Sequence, residues 1–243
     1  MVFTGIVEEM GTVLSVERKA NLEMWDGSKS EGFVLRIKCK VALEGAYIGC
    51  SIAVNGTCLT VTTFDAEAFE VNCAPETLRR TDLGDLGKGD PVNLERSMAA
   101  SDRNSGHFVQ GHVDEAGKIL KFTPEGDSLW VRISLSDDLL PFVIPKGYIA
   151  VDGTSLTVCE VNRKEKWFNL MLIAHTQKCI VIPKKKVGDR VNLEGDCMGK
   201  YAAAAVGNVR QELSEVKQQL RFSQAAALLS LLVATCLALL RRR

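Results

Sequence analysis

The chain has 243 residues, of which 46% are apolar and 25% are charged, a composition typical of folded globular proteins. Its 30 basic side chains balance 30 acidic ones, which argues against a nucleic-acid-binding protein, since such proteins need a basic face. The 8 cysteines include no CxxC pair and have no histidine at a ligand interval, which argues against a zinc site. The N-terminus lacks a basic stretch followed by an apolar run, so we expect reduced thiols in a cytosolic compartment.

Three sequence blocks occur twice in the same order along the chain, at offsets of 106, 97 and 99 residues. The repeated blocks are Gly5–Gly11 and Gly111–Gly117, Ile52–Val61 and Ile149–Val158, and Gly89–Glu95 and Gly188–Glu194. In the middle block, eight of ten positions are identical. We therefore predict a tandem duplication, with one domain over 1–99, a second over 100–200 and a tail over 201–243.

Each half has the pattern of an all-β domain. Nearly alternating apolar residues predict strands at Phe33–Cys39 and Leu129–Leu135, and Asn-Gly or Asp-Gly pairs predict a hairpin turn in each half. Short strands at close spacing favour a small closed barrel. One short helix is expected in each half, at Pro75–Thr81 and at Ser136–Phe142. The fold class that we predict is therefore all-β, with two barrels and a C-terminal helix.

Small polar side chains lie around the predicted hairpin turn of each half. Ser51, Cys58 and Thr60 alternate with apolar neighbours, and Ser155 and Thr157 occupy the positions equivalent to Cys58 and Thr60. Such residues fit the interior of a barrel; the alternative is that they line a site for a planar ligand.

The two halves differ at residues that can do chemistry. His112 stands where the first half has Ile6, and His175 stands where it has Glu76. Histidine transfers protons readily near neutral pH, so these differences predict two unequal sites. Neither a Gly-rich phosphate-binding loop nor a GxSxG motif occurs in the sequence.

Five motifs together resemble the riboflavin synthase family, over about residues 1–200. They are Phe3–Val7, Val54–Val61, Glu76–Thr81, Gly106–Asp114 and Asp152–Val158. The resemblance implies two six-stranded Greek-key barrels and a helix that forms a homotrimer. It also implies a dismutation without cofactor, in which two molecules of 6,7-dimethyl-8-ribityllumazine exchange a four-carbon unit to give riboflavin and 5-amino-6-ribitylaminouracil. The protein would chiefly hold two rings face to face, which is a task of proximity and orientation.

The resemblance also implies a substrate site between the N-terminal barrel of one subunit and the C-terminal barrel of its neighbour. The residues implied around the first ring and its ribityl chain are Gly5, Ile6, Val7, Cys58, Leu59, Thr60, Asn72, Cys73, Ala74, Pro75, Glu76 and Thr77. Those implied around the second are Gly111, His112, Val113, Lys146, Thr154, Ser155, Leu156, Leu170, Met171, Leu172, Ile173, Ala174 and His175.

Five residues match positions that the family places near the reacting atoms: Ser51, Cys58, His112, Thr157 and Asp196. Our hypothesis is that His112 shuttles the proton and that Thr157 polarises the ring. Cys58 or Ser51 would then offer the nucleophile or hold water at C7, and Asp196 would supply a further carboxylate.

The sequence departs from the family pattern at three places, and two other functions stay open. Val2 is an extra residue, Ser105 replaces a glycine, and His175–Gln177 replaces the second Glu-Thr-Leu-type motif. One alternative function is a non-catalytic lumazine- or flavin-binding (antenna) protein, although such relatives tend to lose polar residues that are present here. The other is a flavin-binding reductase barrel, but no nicotinamide-binding domain follows it.

The tail combines a heptad pattern with an apolar segment. Apolar residues recur at intervals of three and four, at Val206, Val209, Leu213, Val216 and Leu220. This pattern predicts that the trimerising helix extends into a parallel coiled coil. The 19 residues Phe222–Leu240 carry no charge, and we expect them either to anchor the chain in an organelle membrane, with the barrels in the cytosol, or to pack within the trimer.

Overall fold

A computed structural model of the chain describes the backbone over residues 2–23 and 29–240, and side chains over 2–20, 31–207, 213 and 215–224. The first half forms a closed six-stranded barrel, in the spatial order β1-β2-β5-β4-β3-β6. Its strands are β1 (Glu9–Glu23), β2 (Lys29–Lys38), β3 (Ser51–Val54), β4 (Thr57–Phe64), β5 (Ala68–Cys73) and β6 (Pro91–Arg96). All neighbouring strands in this barrel are antiparallel.

The second half forms a seven-stranded antiparallel sheet, in the order β10-β9-β13-β7-β8-β12-β11. Its strands are β7 (Glu115–Glu125), β8 (Ser128–Ser134), β9 (Tyr148–Val151), β10 (Thr154–Thr157), β11 (Glu160–Asn162), β12 (Trp167–Leu172) and β13 (Arg190–Gly195). The two outermost strands, β10 and β11, are separated by only two residues, and together they correspond to the single strand β4.

The break between β10 and β11 explains why this half has seven strands where we expected six. Val158 bonds through its backbone to Lys146 and Gly147, just as Val61 bonds to Gly49 and Cys50 in the first half. The next residue, Cys159, donates instead to the carbonyl of Asn169 on β12. The chain therefore passes from one edge of the curled sheet to the other, and the predicted all-β fold with a C-terminal helix is confirmed.

Three α-helices are present in the described part of the chain: α1 (Pro75–Arg80), α2 (Ala174–Cys179) and α3 (Cys197–Leu240). The helix that we predicted at Pro75–Thr81 is confirmed. The helix that we predicted at Ser136–Phe142 is wrong, because only a single 3-10 turn forms there, at Leu140–Phe142. Pro141 has no N–H to continue a helical ladder. The second half instead places α2 at the position equivalent to α1.

Each sheet encloses its own apolar core. Val13, Leu35 and Phe69 are fully buried in the first core, and Ile119 and Phe168 are fully buried in the second. A third, smaller cluster joins residues of both halves, and it consists of Phe3, Ala53, Val109 and Ala150 with Cys58 at its margin. The two halves belong to one compact unit that ends at Cys197.

The remainder of the chain, from Met198 onward, is a separate helical unit. Four described apolar side chains of the heptad, Val206, Leu213, Val216 and Leu220, are 50–58% exposed in the single chain. The side chain of Val209 lies outside the described residues, as do those of residues 225–240, which make up most of the predicted membrane span Phe222–Leu240. Among the described residues, no helix is both long enough and apolar enough to cross a membrane.

The two predicted hairpin turns meet tip to tip where the halves join. Asn55 and Gly56 have φ angles of 44° and 75°, and Asp152 and Gly153 have 45° and 77°, as this turn type requires. A Cβ atom on Gly56 would lie 2.5 Å from the backbone nitrogen of Gly153. Asn192 Nδ2 donates to the carbonyl of Asn55 over 2.8 Å, so the contact is hydrogen-bonded as well as close.

Replacement of Gly56 by alanine tests this contact. The left-handed backbone costs an alanine about 1–2 kcal/mol, and the clash with Gly153 adds to that cost because backbone cannot move aside. We expect G56A to lose more than about 3 kcal/mol of unfolding free energy in chemical denaturation. The matched control is G45A, since Gly45 has a φ of 76° and a Cβ atom added to it would meet no other atom within 4 Å. Equal losses in the two variants would contradict the tip-to-tip contact.

Candidate functional site

The segment that opens each half crosses to the strands of the other half. Ser155 N on β10 donates to Gly5 O over 2.7 Å, and Cys58 N on β4 donates to Gly111 O over 2.9 Å. Phe3 and Val109 pair with each other through two backbone hydrogen bonds. We refer to residues 3–7 and 109–113 as the first and second crossing segments.

Within one chain, the crossing pairs the predicted site residues differently from the groups that the resemblance implies. The resemblance implies Gly5 with Cys58 around one ring and Gly111 with Ser155 around the other, in a site between subunits. Within the chain, the structure pairs Gly5 with Ser155 and Gly111 with Cys58. The repeat shows which residues are equivalent, but it does not show which half each crossing segment contacts.

The strands that meet the crossing segments present alternate residues to solvent. Thr60 and Thr157 are exposed, whereas their neighbours Leu59 and Leu156 are 5% and 9% exposed and belong to the barrel cores. The buried leucines can therefore offer only backbone groups to a ligand, while the threonine hydroxyls are available from each strand.

A histidine to which the sequence motifs alone assign no role lies against Ser155. His107 is 93% buried, since only 7% of it is exposed, and its Nδ1 lies 2.6 Å from Ser155 Oγ. Its ring stacks on Tyr148 with centroids 5.2 Å apart. Burial lowers the pKa of His107 and favours the neutral ring, while the charge of Asp196 opposes that shift. The signal that could have found it is its position in the motif Gly106–Asp114.

The second crossing segment carries the other histidine. His112 follows Gly111 directly, and its side chain is exposed. Because Gly111 O accepts from Cys58 N, the backbone that leads into His112 lies next to Cys58. Val7 and Val113, the last residues of the two crossing segments, are partly buried, and Val7 packs against the second core. Lys146 is exposed in the left-handed conformation, with a φ of 67°.

The residues predicted along the ribityl chain lie where a strand leads into a short helix. Asn72–Thr77 spans the end of β5 and the start of α1, and Leu170–His175 spans the end of β12 and the start of α2. Cys73, Leu170 and Leu172 point into the cores, with at most 1% of each exposed.

The polar ends of these two stretches differ. Glu76 forms ion pairs with Arg80 and Arg79 of its own helix, and hydrogen bonds from these two guanidinium groups hold the pKa of its carboxyl below the ordinary value. His175 Nε2 lies 3.8 Å from Cys179 Sγ on α2. Thr154, in contrast, is buried between the halves, where Asn93 Nδ2 donates to its hydroxyl over 3.4 Å.

A cavity of about 630 Å³ opens beside the first crossing segment. Ser51 and Ile6, two of the predicted site residues, line it, and Tyr47 and Arg103 stand among its other lining residues. Ser51 is 2% exposed, and its hydroxyl has no hydrogen-bond partner among the described residues. A buried hydroxyl without a partner is costly, so this group is available to a ligand or to water in the cavity.

Glu95 on β6 also lines this cavity and binds the first crossing segment. Its carboxylate accepts from Thr4 N over 2.6 Å, from Thr4 Oγ over 2.8 Å and from Gly5 N over 3.0 Å. Burial raises the pKa of Glu95 to about 7, although the hydrogen bonds from Thr4 and Gly5 oppose that shift.

Comparisons with known proteins agree with the duplicated architecture. A family model described as the lumazine binding domain matches twice, over residues 4–97 and 110–196. Riboflavin synthase of Schizosaccharomyces pombe is 44% identical over 205 residues, which are 84% of this chain and 93% of that protein. Riboflavin synthases of Actinobacillus pleuropneumoniae and Bacillus subtilis are 43% and 41% identical over 199 residues, which are 82% of this chain and 87% of each of them.

Solved structures share the fold. LumP in complex with 6,7-dimethyl-8-(1'-D-ribityl) lumazine superimposes with a TM-score of 0.66 at 22% sequence identity, covering 79% of this chain and 98% of that one. LumP in complex with flavin mononucleotide gives the same TM-score at 21% identity. At such identities the likeness concerns the fold alone.

The raised pKa of Glu95 predicts how stability depends on pH. The folded chain binds this proton more tightly than the unfolded chain, whose glutamate has an ordinary pKa near 4.3. The contribution of Glu95 is therefore complete below about pH 4 and is lost as pH rises through about 7. Between pH 5 and 8 we expect the wild-type chain to lose roughly 2 kcal/mol through this group, and E95Q to lack that loss in chemical denaturation.

The control is E70Q, which removes a carboxylate of the same half that pairs with Arg36 at the surface. This variant should keep the wild-type pH dependence. If E95Q and the wild type lose the same stability between pH 5 and 8, the raised pKa is wrong.

Proposed function

The chain belongs to the riboflavin synthase family, and we propose that it forms riboflavin by the dismutation of two molecules of 6,7-dimethyl-8-ribityllumazine, with 5-amino-6-ribitylaminouracil as the second product. Membership follows from two matches of the lumazine binding domain and from relatives at 41–44% identity over most of the chain. The enzyme is a transferase, because a four-carbon unit passes from one substrate molecule to the other.

The observation that carries this proposal is that one chain holds two equivalent but chemically different faces. One has Gly5 against Ser155, and the other has Gly111 against Cys58. The reaction consumes two identical molecules in two different roles, donor and acceptor. A duplicated fold supplies two similar faces for the shared ring, and divergence at the residues that carry protons makes the roles unequal.

We assign the residue roles as a hypothesis on this basis. His112 shuttles the proton next to Cys58, which contacts C7 or a water there; Ser51, in the cavity beside the first crossing segment, is the alternative group for that contact. On the other face Thr157 polarises the ring, and Asp196 lies close enough to His107 to influence its charge. In a trimer, the two faces that form one complete site come from neighbouring copies.

The test uses the purified full-length chain with 6,7-dimethyl-8-ribityllumazine as the only substrate. We expect riboflavin, followed by its absorbance and fluorescence, and one equivalent of 5-amino-6-ribitylaminouracil for each riboflavin formed. A chain that binds the lumazine with unchanged absorbance over hours would instead be the non-catalytic binding protein. The reductase alternative requires flavin reduction by a nicotinamide nucleotide, which a parallel assay detects.

We propose that helix α3 holds three copies together as a parallel coiled coil. The support is the heptad and its exposure, since Val206, Leu213, Val216 and Leu220 would all be buried in such a coil. The Schizosaccharomyces pombe and Actinobacillus pleuropneumoniae relatives cover 84% and 82% of this chain, so an extended helix is an addition to a part that they share.

Truncation and one substitution test this assembly. We expect the full-length chain to sediment as a trimer, and a chain ending at residue 205 to dissociate and lose activity on dilution, because each site needs two copies. L213A should weaken the trimer, whereas Q218A, on the opposite side of the heptad, should not. If the truncated chain stays a trimer with unchanged activity at all concentrations, the coiled coil is not what assembles the protein.

The same pair of chains tests localisation in cells. Expression followed by fractionation without detergent shows whether the full-length chain is found with the cytosol, as we propose for the barrels, or sediments with membranes through 222–240. If only the full-length chain sediments with membranes, the tail is an anchor and not solely an assembly device.

A further inference from the structure

Glu194 occupies the same place in the second half that Glu95 occupies in the first. Both residues lie near the end of the last strand of their sheet, in the repeated blocks 89–95 and 188–194. Glu194 is 3% exposed and Glu95 is 6% exposed. Charged residues are seldom buried to this extent unless they are paired or strongly hydrogen-bonded, so each needs a reason.

The reason lies in the contacts of the two carboxylates. Glu194 accepts from Gln110 N over 2.7 Å and from His112 N over 2.9 Å. Glu95 does the same for Thr4 and Gly5 in the first crossing segment. In each half, therefore, one buried carboxylate binds backbone N–H groups of the segment that crosses to the other half.

A carboxylate suits this place because the crossing segments are turned at a glycine. Gly111 has a φ of 77°, which directs its carbonyl to Cys58 of the first half and leaves the N–H groups on either side without a strand partner. Two neighbouring N–H groups need two acceptors, and a carboxylate has two oxygen atoms at the required spacing. Bonds from N–H groups to an ionised acceptor are also stronger than neutral ones.

The position of His112 is thus fixed from both halves at once. Its own N–H is held by Glu194 of the second half, and the carbonyl of the preceding residue, Gly111, is held by Cys58 N of the first half, over 2.9 Å each. The imidazole is exposed, and the two hydrogen bonds on its backbone set where the side chain begins.

We infer that Glu194 is a positioning residue for His112, whose backbone it holds next to Cys58. This inference rests on the proposed function, because it matters for turnover only if His112 acts on the substrate. Glu95 has the corresponding task for the first crossing segment, which carries Ile6 and no titratable side chain.

The first experiment is a substitution that keeps shape and removes one acceptor. In E194Q the amide has a single oxygen, so its NH₂ group must face one of the two N–H donors. We expect kcat to fall at least tenfold and the dissociation constant for the lumazine to change less than threefold. H112A should remove one limb of the profile of kcat against pH, and E194Q should shift that same limb. E95Q should leave that limb in place.

A control separates positioning from loss of stability. V131A removes two methyl groups from the second core, where Val131 is fully buried. It should lower Tm with kcat unchanged at a temperature well below Tm. If V131A with the same loss of Tm reproduces the kinetics of E194Q, or if E194Q keeps wild-type kcat and pH profile, the inference is wrong.

A second experiment measures the wild-type chain itself. The chain has 3 histidines, so labelling with ¹⁵N-histidine gives three backbone amide signals, assigned through substitution of each histidine. We expect the His112 amide proton to be shifted downfield and protected from exchange, as a bond to a buried carboxylate requires. Exchange at the rate of a solvent-exposed amide would overturn the inference, whereas an inactive wild-type chain with a protected His112 would overturn only the proposed function.

Discussion

The contact between the two hairpin tips determines how the halves of this molecule are arranged. Gly56 and Gly153 approach so closely that neither position has room for a Cβ atom. A polar cluster around the tips is buried, and a buried polar group must find a partner. Asn93 Nδ2 reaches the carbonyl of Asp152, and Asn192 Nδ2 reaches that of Asn55, each over 2.8 Å. The exchange is reciprocal, so each half satisfies groups that the other leaves open.

The symmetry of that contact is broken by one lysine. Lys185 Nζ lies 2.7 Å from Asp82 of the first half and 2.7 Å from Asp152 of the second. Burial alone would lower the pKa of Lys185, but the two carboxylates outweigh burial and raise it, so the lysine stays charged. Lys185 belongs to the second half, so its ion pair with Asp82 joins the two halves directly. The second hairpin adds the carboxylate of Asp152 where the first hairpin has the amide of Asn55.

This arrangement of the halves determines where the two crossing segments lie. Residues 3–7 and 109–113 run beside the hairpins, and each forms backbone hydrogen bonds to the strand that leaves the opposite hairpin. Much of this was open to prediction from the sequence, because an Asn-Gly or Asp-Gly pair needs positive φ angles and because repeated blocks reveal a duplication. The crossing could not be predicted from the sequence, because the equivalence of Gly5 and Gly111 is compatible with contacts inside one half and with contacts between the halves. The misplaced second helix is a different case, because the alignment of Glu76 with His175 already contained the information that places α2.

The arrangement also explains why two histidines five residues apart serve different faces. His107 precedes the second crossing segment and lies against Ser155, where burial lowers the pKa of its ring. His112 lies within that segment, after the turn at Gly111 has carried the chain to Cys58. One short stretch of the second half thus provides an imidazole to each of the two faces, whereas the matching stretch of the first half provides none. A duplication of equal halves would give two faces of equal chemistry. For the reaction that we propose, the divergence of this stretch would add to that of Glu76 and His175 in giving a donor and an acceptor different surroundings.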